Sequence, residues 1–271
     1  MASGNYFERF SGDFFEATRL VTLRDKRYNV PRFPPPLAGS ECFRRITSEG
    51  VIFCSPAEME VLYRVIYEPT KKRVAAFFDS QNLFKSVKKL WGYSYPNFNP
   101  IGLSKLLVAK YAHPGWILVG IRIYTGIHSP KINPVWHNFW VRKLAAHSNQ
   151  DSRVHTFTRL LQYSDGIPRE KGIDVRIALD LVRMARLNEY DVALLFSQDN
   201  DFAEVADEIR DIARERRRWL KIVTAFPCDP ASKMPRGIRK TDWIRIQKPE
   251  YDACIDTSDY RSDFANSNIG V

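Results

Sequence analysis

The sequence has few cysteines and no long apolar run, and each shortage argues against a class of protein. Its 271 residues include only four cysteines, none at the short spacing of a zinc knuckle or a redox pair: Cys42, Cys54, Cys228 and Cys254. No apolar run approaches the roughly 20 residues that cross a bilayer, and the N-terminus lacks the charged-then-apolar pattern of a signal peptide. These absences predict a protein with no membrane association, working in a reducing, cytoplasmic compartment.

Three widespread ligand-binding or catalytic motifs are missing as well. No Gly-x-Gly-x-x-Gly follows any predicted strand, which argues against a dinucleotide-binding Rossmann domain. Neither a P-loop nor the Gly-x-Ser-x-Gly elbow of a serine hydrolase occurs. Any catalysis must therefore use other groups.

Cations are in excess. The chain contains 41 Lys and Arg against 31 Asp and Glu, which gives a net charge of +10 and a pI near 9.5. This balance suits a polyanionic partner. The length of 271 residues can hold one full α/β domain with an appendage, or two small domains. The hydrophobic fraction of 44% is ordinary for a soluble globular protein.

Two apolar runs end in acidic, polar turns. Residues 190–195 precede Ser197-Gln198-Asp199-Asn200-Asp201, and residues 73–78 precede Asp79-Ser80-Gln81-Asn82. An apolar run of this length, followed by a helical pattern, is typical of a buried parallel strand. Because ligands bind beyond the carboxyl ends of such strands, these acids are placed to form a site. Asp199 and Asp201 could instead be simple helix N-caps.

A third acid, Asp174, begins another helical pattern that runs to about Leu187. Residues 153–163 predict a strand, and residues 164–172 a polar loop that delivers Asp174 to its helix. Clustered carboxylates repel one another unless a cation or a proton joins them. Three acids at element ends therefore favour a site for Mg²⁺ or Mn²⁺.

The three acidic motifs together resemble those of NYN domains, which belong to the PIN-like nuclease superfamily. The motifs are Phe78-Asp79-Ser80-Gln81-Asn82, then Lys171-Gly172-Ile173-Asp174-Val175 followed by Asp180, and Ser197 to Phe202. The resemblance covers roughly residues 72–246. It implies a three-layer α/β/α sandwich with a mainly parallel central sheet. It also implies a metal-dependent endoribonuclease whose products carry 5′-phosphate and 3′-hydroxyl ends.

The same resemblance assigns roles to individual residues. Metal ligands would be Asp79, Asp174, Asp199 and Asp201, holding Mg²⁺ or Mn²⁺ so that an activated water attacks phosphorus. Asn82 would line the site and bind a water or a phosphate. Three residues are of second rank: Asp180, Ser197 and Lys171. Asp180 lies about 240° around the helix from Asp174, so the two do not share one face.

One feature of the wider superfamily is not found. An additional carboxylate is often present on a helix between the first two motifs, whereas no acid lies on a predicted helix of this interval. Asp151 and Asp165 are poor substitutes. This departure favours one alternative, a catalytically weak nucleic-acid-binding or regulatory subunit. A DNA-directed nuclease of the same superfamily is a further alternative. No residue in the sequence indicates recognition of a 2′-hydroxyl group. The choice of RNA over DNA as the partner therefore depends on the family resemblance.

Basic segments near the predicted strand ends are candidates for phosphate binding. The sequence predicts these nucleic-acid-binding residues: Lys85, Lys89, Lys233, Arg236, Arg239 and Lys240.

The sequence divides into three parts at changes of composition. Residues 1–70 form an N-terminal extension or accessory module, with a predicted strand at 50–54 and a predicted helix at 57–67. This extension is a candidate surface for a protein partner or for self-association. Residues 71–248 form the nuclease-like domain, and residues 249–271 a polar tail whose last dozen residues we expect to be mobile.

Overall fold

The computed structural model describes residues 68–111, 115–230 and 236–261 in full, together with the backbone of four short strands nearer the N-terminus. The chain divides into two compact units. One unit comprises residues 1–70 with 217–219, and the other comprises residues 71–216 with 220–271.

The smaller unit contains a four-stranded antiparallel sheet. Its strands are β1 (Tyr6–Ser11), β2 (Phe14–Phe15), β3 (Phe43–Thr47) and β4 (Gly50–Cys54), in the order β2-β1-β3-β4. Strand β4 coincides with the predicted strand, whereas the helix predicted at 57–67 lies outside the described residues.

The larger unit alternates strands and helices along the chain. Its strands are β5 (Lys72–Asp79), β6 (Trp116–Ile127), β7 (Val154–Leu160), β8 (Gln162–Ser164), β9 (Ile167–Arg169), β10 (Val192–Phe196), β11 (Lys221–Pro227) and β12 (Asp242–Ile246). Its helices are α1 (Ser80–Trp91), α2 (Pro100–Tyr111), α3 (Pro134–Gln150), α4 (Ile173–Arg186), α5 (Ala203–Glu215) and α6 (Lys248–Asp252), with a 3₁₀ turn at Asn200–Phe202.

Six of these strands form one parallel sheet in the order β12-β11-β10-β5-β6-β7. The chain builds outward from β5 through β6 to β7, and then returns to the other side of β5 to add β10, β11 and β12. The strand order therefore reverses between β5 and β10. In open α/β sheets, ligands bind beyond the carboxyl ends of the strands at this reversal.

The two faces of the sheet carry separate cores, as the alternation of side chains along a strand requires. On β5, Ala75 and Phe77 pack with α4 and α5. The alternate residue Phe78 stacks on Phe196 at a centroid distance of 3.9 Å. Helices on both faces complete the three-layer α/β/α sandwich that the sequence predicts. In the described part of the chain, no helix combines the length and the apolar character needed to cross a bilayer.

Helix α1 begins where the strand order reverses, and its sequence explains where it starts and ends. Asp79 ends β5 and caps the helix, because its carboxylate accepts the backbone N–H of Asn82. Leu83 and Val87 fall on one buried face, and Gly92 ends the helix in the left-handed conformation (φ 78°). The strand end and the helix start are therefore fixed by the same aspartate.

Two predictions from the sequence differ from the structure. Residues 164–172 are not a plain loop, because β8 and β9 pair as an antiparallel hairpin ahead of α4. Residues 249–261, predicted as part of a polar tail, instead contain most of α6 and several buried side chains of the larger unit. Tyr251 is fully buried there, and Ile255 forms a β-bridge with Phe98. Most of the last dozen residues lie outside the described range.

A buried ion pair holds this C-terminal segment in place. Lys143 Nζ on α3 lies 2.7 Å from Asp256 Oδ2, and both residues are buried. The Lys143 ammonium also lies 5.3 Å from the ring centroid of Tyr260. Neither charge can be left alone at this depth, because an unpaired buried ion is strongly destabilising.

We predict that Asp256→Asn lowers the free energy of unfolding by about 3 kcal/mol, because it leaves the Lys143 ammonium buried without its counter-ion. Urea unfolding measures the loss. Asp259→Asn is the matched control, since its ion pair with Arg261 is on the surface and should contribute less than about 1 kcal/mol. Equal stabilities for the two variants would contradict this assignment.

Candidate active site

The reversal between β5 and β10 brings two of the predicted acidic turns together. Phe196 on β10 is in register with Phe78 on β5, so the residues that follow each strand, Asp79 and Ser197, lie side by side. Ser197 Oγ donates to Asp79 Oδ2 at 3.1 Å. Ser197, placed in the second rank by the sequence, thus positions the first aspartate directly.

The two turns are also tied through Asn82. Its side-chain carbonyl accepts the backbone N–H of Gln198 at 3.0 Å. The carbonyl of Asn82 therefore joins α1 to the turn after β10, while its NH₂ group has no hydrogen-bond partner among the described residues. Only this NH₂ group is available for the water or phosphate contact that the sequence predicts.

Asp199 and Asp201 lie on the 3₁₀ turn that follows β10. Asp199 Oδ1 accepts the backbone N–H of Asp201 at 3.0 Å, and the N–H of Asp199 donates to Ser197 Oγ at 3.1 Å. Asp199 is thus the cap that the alternative interpretation expected. Capping uses only Oδ1, so the same carboxylate keeps an oxygen for other ligands.

Glu170 is a further carboxylate of this site, and the sequence analysis passed over it. It follows β9, and its Oε1 accepts the backbone N–H of Gly126 near the end of β6. A Cβ on residue 126 would contact Leu161 Cδ2 and would lie 2.9 Å from Glu170 Oε1, so a larger residue here would displace the ends of both side chains. The wider superfamily often has its additional carboxylate on a helix, whereas Glu170 follows the second strand of a hairpin and directly precedes Lys171.

The carboxylates interact strongly with one another. Burial, with added repulsion from Asp174 and Asp199, raises the pKa of Asp79 to about 6. Burial and the charge of Asp79 raise the pKa of Glu170 to about 7. Burial and then the charge of Asp199 raise the pKa of Asp174. The mutual effects show that carboxylates from β5, the hairpin, α4 and the turn after β10 share one electrostatic neighbourhood.

Lys85 on α1 opposes this repulsion. Its charge lowers the pKa of both Glu170 and Asp174, although burial and the neighbouring acids outweigh it. The sequence proposed Lys85 as a phosphate ligand, and the structure places it beside the carboxylates. Lys89, one turn further along α1, is exposed.

The remaining predicted residues are Asp180 and Lys171, together with the two poor substitutes Asp151 and Asp165. Asp180 is buried within the α4 layer, where it accepts from Tyr124 Oη at 2.9 Å and from Arg176 Nε at 3.0 Å. It supports the packing of α4 on β6. Lys171 is exposed beside Glu170. Asp151 pairs with Arg153 at the end of α3, and Asp165 lies at the hairpin tip, so neither replaces a site carboxylate.

The donor atoms of this site fit a hard cation that keeps part of its water shell. Within the described ranges, no group of three or more His, Cys, Asp or Glu side chains is arranged to hold a metal ion directly. The available donors are carboxylate oxygens, which suit Mg²⁺ or Mn²⁺, and Mg²⁺ commonly uses one or two carboxylates plus waters. Burial and then the neighbouring acids raise the pKa values of Asp79 and Glu170, and a divalent cation would favour the charged form of both groups.

The basic loop after β11 contacts the acidic turn. Gln198 Nε2 donates to the carbonyl of Arg236, and Asn200 Oδ1 accepts from both the backbone N–H and the Nε of Arg239. Lys240 forms ion pairs with Asp207 and Glu204 on α5, so acidic side chains already balance its charge. Lys233 lies outside the described residues. Among the described residues of this loop, Arg236 and Arg239 contact the turn that carries Asp199 and Asp201.

We predict that Asp79→Asn stabilises the metal-free protein above neutral pH. A carboxyl whose pKa is raised on folding stabilises the folded state at low pH and loses that contribution as pH rises through the folded pKa. For Asp79 and Glu170 the window runs from about pH 4 to about pH 7. At pH 8 the free energy of unfolding of the variant should exceed that of wild type by on the order of 2 kcal/mol. This difference should shrink toward pH 4.

Urea unfolding in EDTA between pH 4 and pH 8 measures this difference. Asp211→Asn is the control, because Asp211 is exposed and pairs with Arg214 outside the site. A pH-independent difference between Asp79→Asn and wild type would show that the Asp79 carboxylate is not under this repulsion.

The match to one protein-family model agrees with this architecture. The family model of the NYN domain matches residues 73–224, more than half of the chain. A comparison with curated proteins gave no match. Among solved structures, a protein of unknown function from Vibrio parahaemolyticus is similar, with 20% identity over 68% of this chain and 98% of that chain, at a TM-score of 0.43. The chain belongs to the NYN domain family, within the PIN-like nuclease superfamily.

Proposed function

We propose that the protein is a metal-dependent endoribonuclease. The observation that carries the proposal is the group of carboxylates at the reversal of the sheet. Asp79, Glu170 and Asp174 all have raised pKa values because of burial and neighbouring acids, and the basic residues Lys85 and Arg239 lie beside the same turns. Nuclease domains of this superfamily typically use divalent metals.

Each group has a role that follows from its position. Asp79, Asp174, Asp199 and Glu170 would hold Mg²⁺ or Mn²⁺, with Asp201 at the edge of the set. Ser197 and the N–H of Asn82 fix the orientation of the Asp79 carboxylate. A bound divalent ion would activate water for attack on phosphorus and would neutralise charge on the phosphate.

Cations of the chain would bind and orient the substrate. Arg236 and Arg239 lie next to the acidic turn, and the charge of Lys85 acts on Glu170 and Asp174. Without such residues the acids would repel a phosphate chain. The net charge of +10 supports long-range attraction of the polyanion. RNA is proposed as the substrate because of the family resemblance, and DNA is tested beside it.

A catalytically weak nucleic-acid-binding subunit is the second candidate. It is favoured by one observation, namely that no three carboxylates of the described residues are arranged to hold a metal directly. In that case the basic residues would bind nucleic acid, but the acids would not support hydrolysis.

We predict that Asp199→Asn abolishes RNA cleavage, with a loss of at least 100-fold as an order-of-magnitude estimate, because it removes a metal ligand and preserves side-chain shape. Labelled RNA and DNA are incubated with Mn²⁺ or with EDTA, and the product ends are analysed. Added Mn²⁺ should raise the Tm of wild type more than that of the variant, as measured by thermal unfolding over a Mn²⁺ titration. Asp211→Asn should cleave like wild type.

Three results would argue against this mechanism: cleavage in EDTA, products with cyclic phosphates, or equal activity of Asp199→Asn and wild type. If wild type binds RNA but does not cleave it with either ion, the binding-subunit candidate is favoured.

We predict that Arg236→Gln with Arg239→Gln weakens nucleic-acid binding at every sequence tested. Each lost phosphate contact should lower the salt slope of log affinity by about 0.7 for a single strand. Fluorescence anisotropy in EDTA at several salt concentrations measures the slope. Lys240→Gln is the control from the same loop, since Lys240 is already paired with Asp207. Unchanged binding of the double variant would remove the loop from the interface.

A further inference from the structure

The β8–β9 hairpin has two chemically different faces. Its register pairs Tyr163 with Pro168 and Gln162 with Arg169. Because side chains alternate along each strand, Glu170 follows on the face of Tyr163 and Pro168, while Ile167 and Arg169 share the other face. The first face delivers Glu170 to the carboxylates. The second face is exposed to solvent.

Specific contacts hold the hairpin against the domain. Tyr163 Oη lies 2.6 Å from His128 Nδ1, and His137 Nδ1 lies 2.8 Å from the carbonyl of His128. The N–H of Leu161 donates to the carbonyl of Ile127 at 2.8 Å. With the bond between Glu170 and Gly126, these contacts fix both strands at the end of β6, so the outer face is presented in a defined position.

Exposed cations of the larger unit differ in whether a carboxylate pairs with them. Arg186, Arg210 and Arg214 each form an ion pair with a neighbouring carboxylate. By contrast, three exposed cations on β7 and around β9 have no ion-pair partner among the described residues: Arg159, Arg169 and Lys171. Their charges are therefore available to an external anion.

Arg159 is directed toward the site. Its Nη1 would lie 2.5 Å from a Cβ on Gly172, the residue that precedes α4 with a φ of 74°. The guanidinium therefore lies two residues from Asp174. Its central carbon is also 5.8 Å from the ring centroid of Phe157 on β7. Close packing on Gly172 places this charge at the rim of the carboxylate group.

Apolar side chains accompany these cations. Ile167 is 57% exposed and Leu160, at the end of β7, is 59% exposed. Neither side chain contributes to the core of the domain. Ile167 shares one face of the hairpin with Arg169. An apolar group beside a basic one suits an unpaired base and its phosphate, because a nucleotide offers a flat base for contact as well as a charged backbone.

The geometry points to the hairpin as a second nucleic-acid-binding surface for single strands, on the opposite flank of the carboxylates from the loop that contains Arg236 and Arg239. The hairpin follows β7 at one end of the sheet, and the basic loop joins β11 to β12 at the other end. A single strand of nucleic acid that contacts both flanks extends in both directions from the carboxylates. The inference rests on the proposed function and adds to the proposed active site a second surface that contacts the nucleic acid.

The test measures binding of a labelled single-stranded RNA of about 20 nucleotides in EDTA, so that cleavage does not interfere. Arg159→Gln with Arg169→Gln should lower the salt slope by about 1.4 and reduce affinity about tenfold or more near 0.1 M salt. Arg186→Gln with Arg214→Gln is the control, because it removes the same net charge from arginines that are already paired. Ile167→Ser should weaken binding of the single strand and leave binding of duplex RNA unchanged.

The outcomes separate this inference from the proposed function. Thermal unfolding first shows that the variants fold like wild type. The hairpin variant is Arg159→Gln with Arg169→Gln, and the control variant is Arg186→Gln with Arg214→Gln. If wild type cleaves RNA and the hairpin variant binds like the control variant, the hairpin inference is overturned and the nuclease proposal stands. If wild type never cleaves, but the hairpin variant loses affinity and slope as stated, the inference stands and the proposed chemistry fails. No binding of wild type to single strands in EDTA would overturn the inference.

Discussion

The buried carboxylate of Asp79 is the constraint on which the rest of the site depends. It ends the central strand of a parallel sheet and is only 3% exposed, yet it lies beside other acids. The backbone N–H of Asn82 and the hydroxyl of Ser197 donate to it, and both donors come from the turns at the reversal of the sheet. These bonds lower the cost of its charge without removing it. The folded protein therefore keeps an acidic site whose charge is only partly compensated.

This constraint also explains the surrounding sequence. A side chain at Gly126 would displace the Glu170 carboxylate from its position at the end of β6. Gly172 is needed because the chain turns into α4 with a positive φ while the Arg159 guanidinium packs against it. Both glycines lie where the chain delivers a charged group to the carboxylates. Space and backbone conformation therefore limit this region as strongly as charge does.

Charge is distributed unevenly over the larger unit. Away from the site, several cations pair with carboxylates, as Arg186 does with Glu208 and Lys221 with Asp242. Around the site, Lys171 and Arg169 have no such partner in the described part of the chain. An acidic centre with unpaired cations on its flanks suits a phosphodiester chain, because the phosphates bind the flanks while a cation joins the centre.

The sequence by itself determined the strands and the acids that follow them. Apolar runs that end in polar, acidic turns are local signals, so Asp79, Asp199 and the start of α4 at Asp174 could be predicted from neighbouring residues alone. Periodicity predicted α1 and α5 for the same reason. The three motifs in order identified the family.

Only the tertiary structure decided which of these residues act together. Glu170 is separated by 91 positions from Asp79, and no local pattern shows that a hairpin will bring it to Gly126 at the end of β6. Asp180 reads as a motif residue, yet the packing of α4 directs it to Tyr124. The segment after β12 reads as a polar tail, yet Asp256 finds its partner on α3, 113 residues away. Such contacts depend on how distant elements pack, and the sequence pattern around each residue carries no record of that packing.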